Sequence, residues 1–125
     1  MATVLVIDDD PVTLRFMIAA LTNAKIEAVG LGDAMSGVHT VRLRRPDLIL
    51  MDLDLPGVNG ATAVESFRSH PVYGQIPVIL VSGMADLEQI REDVGAADCL
   101  SKPVNPAELV RRVRRHLEAR SASAC

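Results

Sequence analysis

The sequence predicts an α/β fold in which helices cover both faces of one doubly wound, parallel sheet of five strands. Short apolar segments alternate along the chain with segments whose apolar residues recur at helical spacing, and the connections between them are short. One apolar run, Leu48 to Met51, is unbroken and leads straight into Asp52. Such a run is typical of a strand buried on both faces of a sheet. Asp52 is therefore expected at the edge of the sheet where α/β proteins place their ligand crevice.

The length and composition favour a single soluble domain. A chain of 125 residues can bury a core without disulfides, and Cys99 and Cys125 are too far apart to indicate a disulfide framework. The net charge of −3 does not favour binding to nucleic acid through overall electrostatic attraction. The first apolar stretch, residues 4–7, ends in three aspartates, so it is neither a signal peptide nor a membrane span. We expect a cytoplasmic protein without membrane insertion.

The first strand and the first helix have clear signals. Residues 3–7 form a β-rich apolar run, and Asp10 followed by Pro11 is typical of a helix N-cap and first helical position. The inward face of that helix is assigned to Leu14, Met17, Ile18 and Leu21. We expect Asp10 to act only as a helix cap.

The same alternation continues along the chain. Further strands are predicted at residues 27–31, 48–52, 78–81 and 97–100. Further helices are predicted to begin after Asp33, at Asn59 or Gly60, near Leu87, and at Asn105, where Pro106 and Glu108 complete a capping-box start. Gly95 is predicted to close the fourth helix. Residues 1–120 are expected to form the domain and residues 121–125 a flexible tail, with no linker and no second domain.

Charged and polar side chains gather where the predicted strands end. They are Asp8 and Asp9 after the first strand, Asp52 at the third, Ser82 at the fourth and Lys102 after the fifth. Because the carboxyl ends of parallel strands share one edge, these groups should converge. Neighbouring carboxylates repel unless a cation joins them, and an all-oxygen ligand set suits Mg²⁺. One of the carboxylates could then attack phosphorus and form an acyl phosphate, with the metal ion and Lys102 neutralising the transferring oxygens.

Four motifs in this order point to a known family. They are Val-Leu-Val-Ile-Asp-Asp-Asp-Pro at 4–11, the segment 47–60, Val-Ile-Leu-Val-Ser-Gly at 78–83 and Gly-Ala-Ala-Asp-Cys-Leu-Ser-Lys-Pro at 95–103. Together they resemble the receiver domain of two-component response regulators, of the stand-alone kind found in chemotaxis regulators. The resemblance implies a flavodoxin-like (βα)5 fold with the strand order 2-1-3-4-5.

The resemblance also implies a role for each site residue. Asp52 would be the phosphoacceptor, and Ser82 and Lys102 would bind the phosphoryl group, with a cis peptide bond between Lys102 and Pro103. The Mg²⁺ ligands would be Asp9 directly, Asp8 largely through water, Asp52, and the backbone carbonyl of Asp54.

The implied function is that of a single-domain response regulator. It would accept a phosphoryl group from a sensor histidine kinase or a histidine phosphotransfer protein, and would catalyse only its own phosphorylation and dephosphorylation. It would signal to an unknown downstream protein through the face formed by the fourth helix, the fifth strand and the fifth helix, without contacting nucleic acid directly.

Two positions depart from the family pattern. An aromatic residue usually stands three places before the lysine, where this chain has Cys99, and Val104 stands where phenylalanine is common. A thiol fills far less space than a tyrosine side chain. The replacement therefore affects how a structural change caused by phosphorylation would be transmitted to the protein surface. We expect Cys99 to be a small buried apolar residue rather than a redox switch. Asp54 is hypothesised to affect the attacking water and so the lifetime of the phosphoryl group.

The last predicted helix is basic. It carries Arg111, Arg112, Arg114, Arg115 and Arg120. We interpret these as a solvated outer face whose cations suit a helix C-terminus. A docking surface for a partner is the second interpretation and nucleic acid the third. The histidines, His39, His70 and His116, lack ligand spacing and are assigned no metal or catalytic role.

Two other functions use the same residues. A phosphatase of the haloacid-dehalogenase type is favoured by the Asp-x-Asp sequence at Asp52 and Asp54, but its order of motifs differs, since here the acid pair comes first. A receiver-like binding module that is never phosphorylated is the other alternative, favoured by Cys99 and Val104. Turnover of a small phosphoester would indicate the first, and failure to bind Mg²⁺ the second.

Overall fold

The structure is a computed structural model that describes residues 2–33, 40–41, 43–53, 62, 64–65, 68–69 and 73–124. Residues 73 and 121–124 are described by their backbone alone. The strands are β1 (Thr3–Ile7), β2 (Glu27–Leu31), β3 (Leu48–Asp52), β4 (Val78–Ser82) and β5 (Asp98–Ser101). The α-helices within the described residues are α1 (Pro11–Asn23), α2 (Leu87–Val94) and α3 (Pro106–Ala124), and a short 3-10 helix spans Tyr73–Gln75.

The five strands form one parallel sheet in the order β2-β1-β3-β4-β5, which confirms the predicted fold class and strand order. The first three strands have the predicted bounds, whereas β4 extends to Ser82 and β5 lies one residue later than predicted. The amide of Ala97 still bonds the Val78 carbonyl, so pairing begins just before the assigned strand. The sheet brings the carboxyl ends of β1, β3, β4 and β5 to one edge.

The helix starts use the predicted caps. The Asp10 carboxylate accepts hydrogen bonds from the Val12 amide at 3.2 Å and the Thr13 hydroxyl at 2.6 Å, as expected for a residue that only caps α1. The Asn105 side chain accepts from the first-turn amides of α3 at 2.9 and 3.1 Å. Gly95 ends α2 with φ of 72°, the left-handed conformation that glycine adopts without a Cβ clash.

Helix α3 extends past residue 120, where the domain was predicted to end. The backbone of α3 is helical through Ala124, so it continues into the segment 121–125 that we predicted as a tail. Whether that segment is mobile stays a prediction. The helices predicted after Asp33 and at Asn59 or Gly60 fall largely outside the described residues. None of the helices in the described part of the chain is long and apolar enough to cross a membrane.

The core consists of two apolar clusters, one on each face of the sheet. All five residues of β3 are buried, and alternate side chains enter opposite clusters, with Ile49 on one side and Leu50 on the other. Helix α2 packs on the Ile49 side, and α1 and α3 pack on the Leu50 side. The sheet is thus covered on both faces, and its polar groups collect at the edge.

Candidate functional site

The acidic pocket lies at the carboxyl edge of the sheet. Asp8 directly follows β1 and is fully buried, and Asp52 ends β3 with 1% of its surface exposed. Asp9 lies beside them with an exposed side chain. One carboxylate oxygen from each of the three lies within 4.8 Å of the others. The convergence of Asp8, Asp9 and Asp52 that the parallel strands implied is therefore present.

Lys102 brings a positive charge to this pocket. Its Nζ lies 3.3 Å from Asp8 Oδ2 and 3.4 Å from Asp52 Oδ1. Burial by itself lowers the pKa of Lys102, but the negative charges of Asp52 and Asp8 outweigh burial and raise that pKa above its usual value. The charged ammonium form is therefore favoured, and it bridges the two buried acids.

The two oxygens of the Asp8 carboxylate have different partners among the described residues. Asp8 Oδ1 accepts from the Asp10 amide at 2.9 Å, whereas the buried Asp8 Oδ2 has no hydrogen-bond donor in the described part of the chain and is ion-paired with Lys102. A buried carboxylate oxygen without a hydrogen-bond donor is a suitable ligand for a hard cation. Together with Asp9 and Asp52, it forms a donor set of oxygens alone, which fits Mg²⁺ rather than zinc.

Ser82 lies at the end of β4, the strand next to β3. It is fully buried, and its Oγ accepts a hydrogen bond from the Met84 amide at 3.1 Å. That bond fixes the oxygen and leaves the hydroxyl hydrogen as a donor. The Lys102 amide bonds the Ser82 carbonyl at 2.9 Å, and the Lys102–Pro103 peptide bond is cis, as the resemblance implied.

Asp54 lies outside the described residues. Its backbone carbonyl as a metal ligand, and its effect on the lifetime of a phosphoryl group, both stay predictions. The roles assigned to Asp8, Asp9, Asp52, Ser82 and Lys102 likewise stay predictions, although the structure places Asp8, Asp9, Asp52 and Lys102 together.

Cys99 lies where the family pattern has an aromatic residue. It is half-buried beside the core cluster of the Ile49 face, so the expectation of a simply buried apolar residue is only partly correct. Its Sγ donates a hydrogen bond to Glu88 Oε2 at 3.1 Å, which links β5 to α2. Glu88 is itself paired with Arg91, with 2.6 Å between Oε1 and Nη2. Burial, and then the hydrogen bond to Glu88, raise the pKa of the Cys99 thiol to about 11.

We predict that the Cys99 thiol reacts slowly with alkylating agents at neutral pH. The thiolate is the reactive form, so with a pKa of about 11 the iodoacetamide reaction should accelerate about tenfold per pH unit through the mildly alkaline range. The measurement is the labelling rate against pH in a Cys125→Ser background, with free cysteine as the reference. A plateau at the pH where free cysteine levels off would contradict the raised pKa.

Asp98, at the start of β5, is a residue that the sequence analysis missed. Its side chain is 11% exposed and contacts three basic residues of α3. The distances are 2.6 Å to Arg112 Nη1, 2.9 Å to Arg115 Nη2 and 2.9 Å to His116 Nε2. The signal available in the sequence was an acidic residue a short distance before an arginine-rich helix. Arg112 and Arg115 therefore pair with a buried carboxylate, and the interpretation of a solvated outer face is only partly correct, since 63% of the Arg115 side chain is exposed but only 30% of that of Arg112.

Two further arginines of α3 bond backbone carbonyls. Arg114 Nη2 donates to the Ala24 carbonyl at 3.0 Å, and Arg120 Nη1 donates to the Asp47 carbonyl at 2.7 Å. These bonds tie α3 to the end of α1 and to the segment before β3. The basic side chains of α3 thus hold the helix against the sheet as well as facing solvent.

We predict that Asp98→Asn lowers the free energy of unfolding by about 1–2 kcal/mol at neutral pH, since it removes the charge that these donors share. Burial opposes ionisation, but the hydrogen bonds from His116, the Cys99 amide and Arg112 lower the pKa of Asp98. A lowered pKa gives stability that is present above the unfolded-state pKa and is lost as the pH falls through the folded-state value. The difference between wild type and variant should therefore be constant near neutrality and shrink below about pH 4. Urea titrations at several pH values measure it, and a difference that grows in acid would contradict the assignment.

Comparison with known proteins agrees with the fold and the pocket. The family model described as response regulator receiver domain matches residues 4–114. The chain is 34% identical over 116 residues to the DNA-binding response regulator MtrA of Mycolicibacterium smegmatis, an alignment that covers 91% of this chain and 50% of that protein. It is 36% identical over 111 residues to a protein-glutamate methylesterase/protein-glutamine glutaminase of Agrobacterium fabrum, covering 82% of this chain and 30% of that one. The chain belongs to the response regulator receiver domain family.

Solved structures show the same architecture. A putative response regulator from Chloroflexus aurantiacus superposes with a TM-score of 0.88 at 28% identity, covering 94% of this chain and 98% of that one. The receiver domain of a sensor histidine kinase from Pseudomonas aeruginosa, which has a magnesium ion coordinated in its active site cleft, gives a TM-score of 0.85 at 28% identity and the same coverage. This chain spans half the length of the MtrA regulator that it matches.

Proposed function

We propose that Asp52 accepts a phosphoryl group from the phosphohistidine of a kinase or phosphotransfer protein, in a Mg²⁺-dependent reaction. The observation that carries the proposal is the bridge of Lys102 Nζ to Asp52 Oδ1 at 3.4 Å and to Asp8 Oδ2 at 3.3 Å. A cation held between two buried acids neutralises charge at the place where a phosphoryl group would add more. Membership of the receiver family and the magnesium ion in the Pseudomonas relative support the same assignment.

The proposed transfer is a substitution at phosphorus. A carboxylate oxygen of Asp52 attacks, an O–P bond forms, and the N–P bond of the donor histidine breaks. The imidazole nitrogen leaves with the bonding electron pair and takes up a proton. The products are an acyl phosphate on Asp52 and a free histidine. Attack of water on that phosphorus later returns the carboxylate and releases inorganic phosphate.

Each pocket residue has a part in this chemistry. Asp8, Asp9, Asp52 and the carbonyl of Asp54 would hold Mg²⁺, and the bound ion would offset the charge on the phosphoryl oxygens. The Lys102 ammonium, already charged beside the carboxylates, pairs with one of those oxygens once Asp52 is modified. The Ser82 hydroxyl, whose oxygen the Met84 amide holds, donates to another.

The donor protein would approach past an apolar surface beside the pocket. Val12 and Phe16, one turn apart on α1, are 74% and 41% exposed, and Pro103 and Val104 lie across a groove from them. Lys102 also borders this groove. Exposed apolar side chains of this size are typical of protein–protein contacts. A donor protein bound to this surface would have its phosphohistidine next to the acidic pocket.

The output would leave through the face formed by α2, β5 and α3. On this face Glu88 of α2 bonds the Cys99 thiol of β5, and Asp98 of β5 bonds arginines of α3. Lys102 lies just past the end of β5, so a phosphoryl group that pulls on Lys102 acts on the strand that joins both helices. A cytoplasmic, stand-alone protein that signals by such contacts, without touching nucleic acid itself, stays our prediction.

The two alternatives are less well supported. A module that is never phosphorylated does not need a lysine bridging Asp8 and Asp52. A phosphatase of the haloacid-dehalogenase type has its motifs in another order, since here the acid pair at Asp8 and Asp9 precedes Asp52. We therefore propose no enzymatic activity beyond phosphorylation and dephosphorylation of the protein itself.

The proposal is tested by intact mass after incubation with acetyl phosphate and Mg²⁺. We expect one added phosphoryl group in the wild type, and none in Asp52→Asn or when a chelator removes Mg²⁺. Asp98→Asn is the matched control, because it makes the same change at a buried carboxylate away from the pocket and should still be phosphorylated. If the wild type gains no phosphoryl group and releases no phosphate, the proposal fails. A receiver-like binding module that is never phosphorylated then remains as the function.

A further inference from the structure

A second concave surface lies between α1 and α3, on the helices that cover the Leu50 face of the sheet. This α1–α3 groove has a volume of about 860 Å³. Its α1 wall is formed by Ala20, Asn23 and Ala24, and Ala107 and Val110 contribute apolar surface from α3. The side chains on these walls are small, so the backbone of a docked segment can come close to both helices.

The charge of the groove is opposite to that of the whole protein. Its lining includes Arg111, Arg114 and Arg115 and one acid, Glu118, whereas the chain has a net charge of −3. Helix α1 carries no acidic residue along its length. The groove therefore has small apolar walls and a cationic rim on its α3 side.

The arginines that line the groove already have partners within the chain, but these contacts leave their positive charge available to a docked partner. Arg111 pairs with Glu108, but the side chain of Arg111 is 72% exposed, and exposed pairs are weak. Arg115 shares the Asp98 carboxylate with Arg112, and 63% of its side chain is exposed. Arg114 bonds the neutral Ala24 carbonyl. The guanidinium groups can thus donate hydrogen bonds to the carboxylates of a partner.

We propose that the α1–α3 groove docks an acidic helical segment of a protein partner. The α3 wall runs from Ala107 to Glu118, about 17 Å at 1.5 Å per residue, which matches about three turns of a docked helix. Such a segment would place small or aliphatic side chains on the walls and glutamates or aspartates against the arginines. The groove lies outside the acidic pocket, so this docking requires neither Mg²⁺ nor phosphorylation of Asp52.

The probe is a fluorescent peptide of about 14 residues that forms three to four helical turns, with an alanine and leucine stripe flanked by glutamates. The matched peptide has lysine in place of every glutamate. Fluorescence anisotropy at low salt, with unphosphorylated protein and no Mg²⁺, gives the dissociation constants. We expect the acidic peptide alone to bind, and its affinity to fall as salt is added, because screening weakens charge pairs.

Two variants assign the binding to the groove. Ala107→Glu adds a negative charge at an exposed position in the first turn of α3, where an acid suits the helix, and should weaken binding by about fivefold or more. Arg114→Gln should weaken it by a similar factor. Arg15→Gln removes the same charge from the exposed side of α1 outside the groove, and should change the dissociation constant by less than about twofold.

Several outcomes would overturn the proposal. Equal binding of the acidic and basic peptides, no binding of the acidic peptide, or an unchanged affinity in Ala107→Glu would each do so. Binding of short duplex DNA that Ala107→Glu abolishes, without binding of the peptide, would assign the surface to nucleic acid. Self-association in sedimentation velocity that Ala107→Glu abolishes would assign it to a second copy of the chain. None of these readouts depends on Asp52, so failure here leaves the proposed phosphorylation standing.

Discussion

Replacing Lys102 with methionine is expected to slow phosphorylation of Asp52 by about a hundredfold, the usual loss when one charged donor is removed from a transferring group. The same change should lower the free energy of unfolding in metal-free buffer by about 2 kcal/mol, because it leaves two buried carboxylates without their cation. Asp8 and Asp52 are 0% and 1% exposed, so water cannot replace the lost ammonium easily. Saturating Mg²⁺ should restore part of the stability, since a bound cation neutralises the same oxygens.

The measurement combines the rate of adduct formation from acetyl phosphate with urea denaturation, each with and without Mg²⁺. Lys25→Met is the matched control, because Lys25 is the other lysine of the chain and is exposed after α1. We expect that control to change the rate and the stability little. Equal effects of the two substitutions on both readouts would show that Lys102 is an ordinary surface lysine, and would contradict the role given to it in the pocket.

The largest loss of stability is expected for Leu50→Ala in the central strand. Leu50 is fully buried in the cluster between the sheet and helices α1 and α3, where deletion of a leucine side chain removes apolar burial and leaves a cavity. The expected cost is about 3–4 kcal/mol, within the range measured for Leu→Ala substitutions in packed cores. A domain of this size has a total stability of about 5–15 kcal/mol, so the loss is a large part of it.

Leu43→Ala provides the same chemical change at a site that is 72% exposed. We expect it to cost less than about 0.5 kcal/mol, because little apolar surface is removed from contact with protein. Urea denaturation followed by circular dichroism measures both variants, and similar slopes against urea would show that the unfolded states are comparable. Similar losses for the two leucines would contradict the burial of β3 between two helical layers.

The fold could be predicted because its signals are local. Each strand is a short apolar run that ends at polar or turn residues, and the caps at Asp10, Gly95 and Asn105 depend on residues within one turn. The pocket could be predicted from topology, because parallel strands place their carboxyl ends at one edge whatever the details of packing. That rule brought Asp8 and Asp52 together with Lys102, although they are far apart in the chain.

The contacts that the sequence did not show join side chains of different elements. The pairing of Asp98 with Arg112 depends on how α3 lies across β5, and no periodicity in either element reveals that angle. The bond of the Cys99 thiol to Glu88 likewise needs the spacing between β5 and α2. Arginines that face a buried acid and arginines that face solvent have the same pattern in the sequence. For this reason the basic helix was interpreted as simply solvated.

The measurement that tests the central proposal most directly is chemical location of the phosphoryl group. Borohydride reduces an acyl phosphate of aspartate to homoserine, which peptide mass spectrometry then locates in the chain. After treatment with acetyl phosphate and Mg²⁺, we predict homoserine at position 52 and at no other aspartate. Homoserine at Asp8, Asp9 or Asp54, with Asp52 unchanged, would contradict the assignment of Asp52 as the phosphoacceptor.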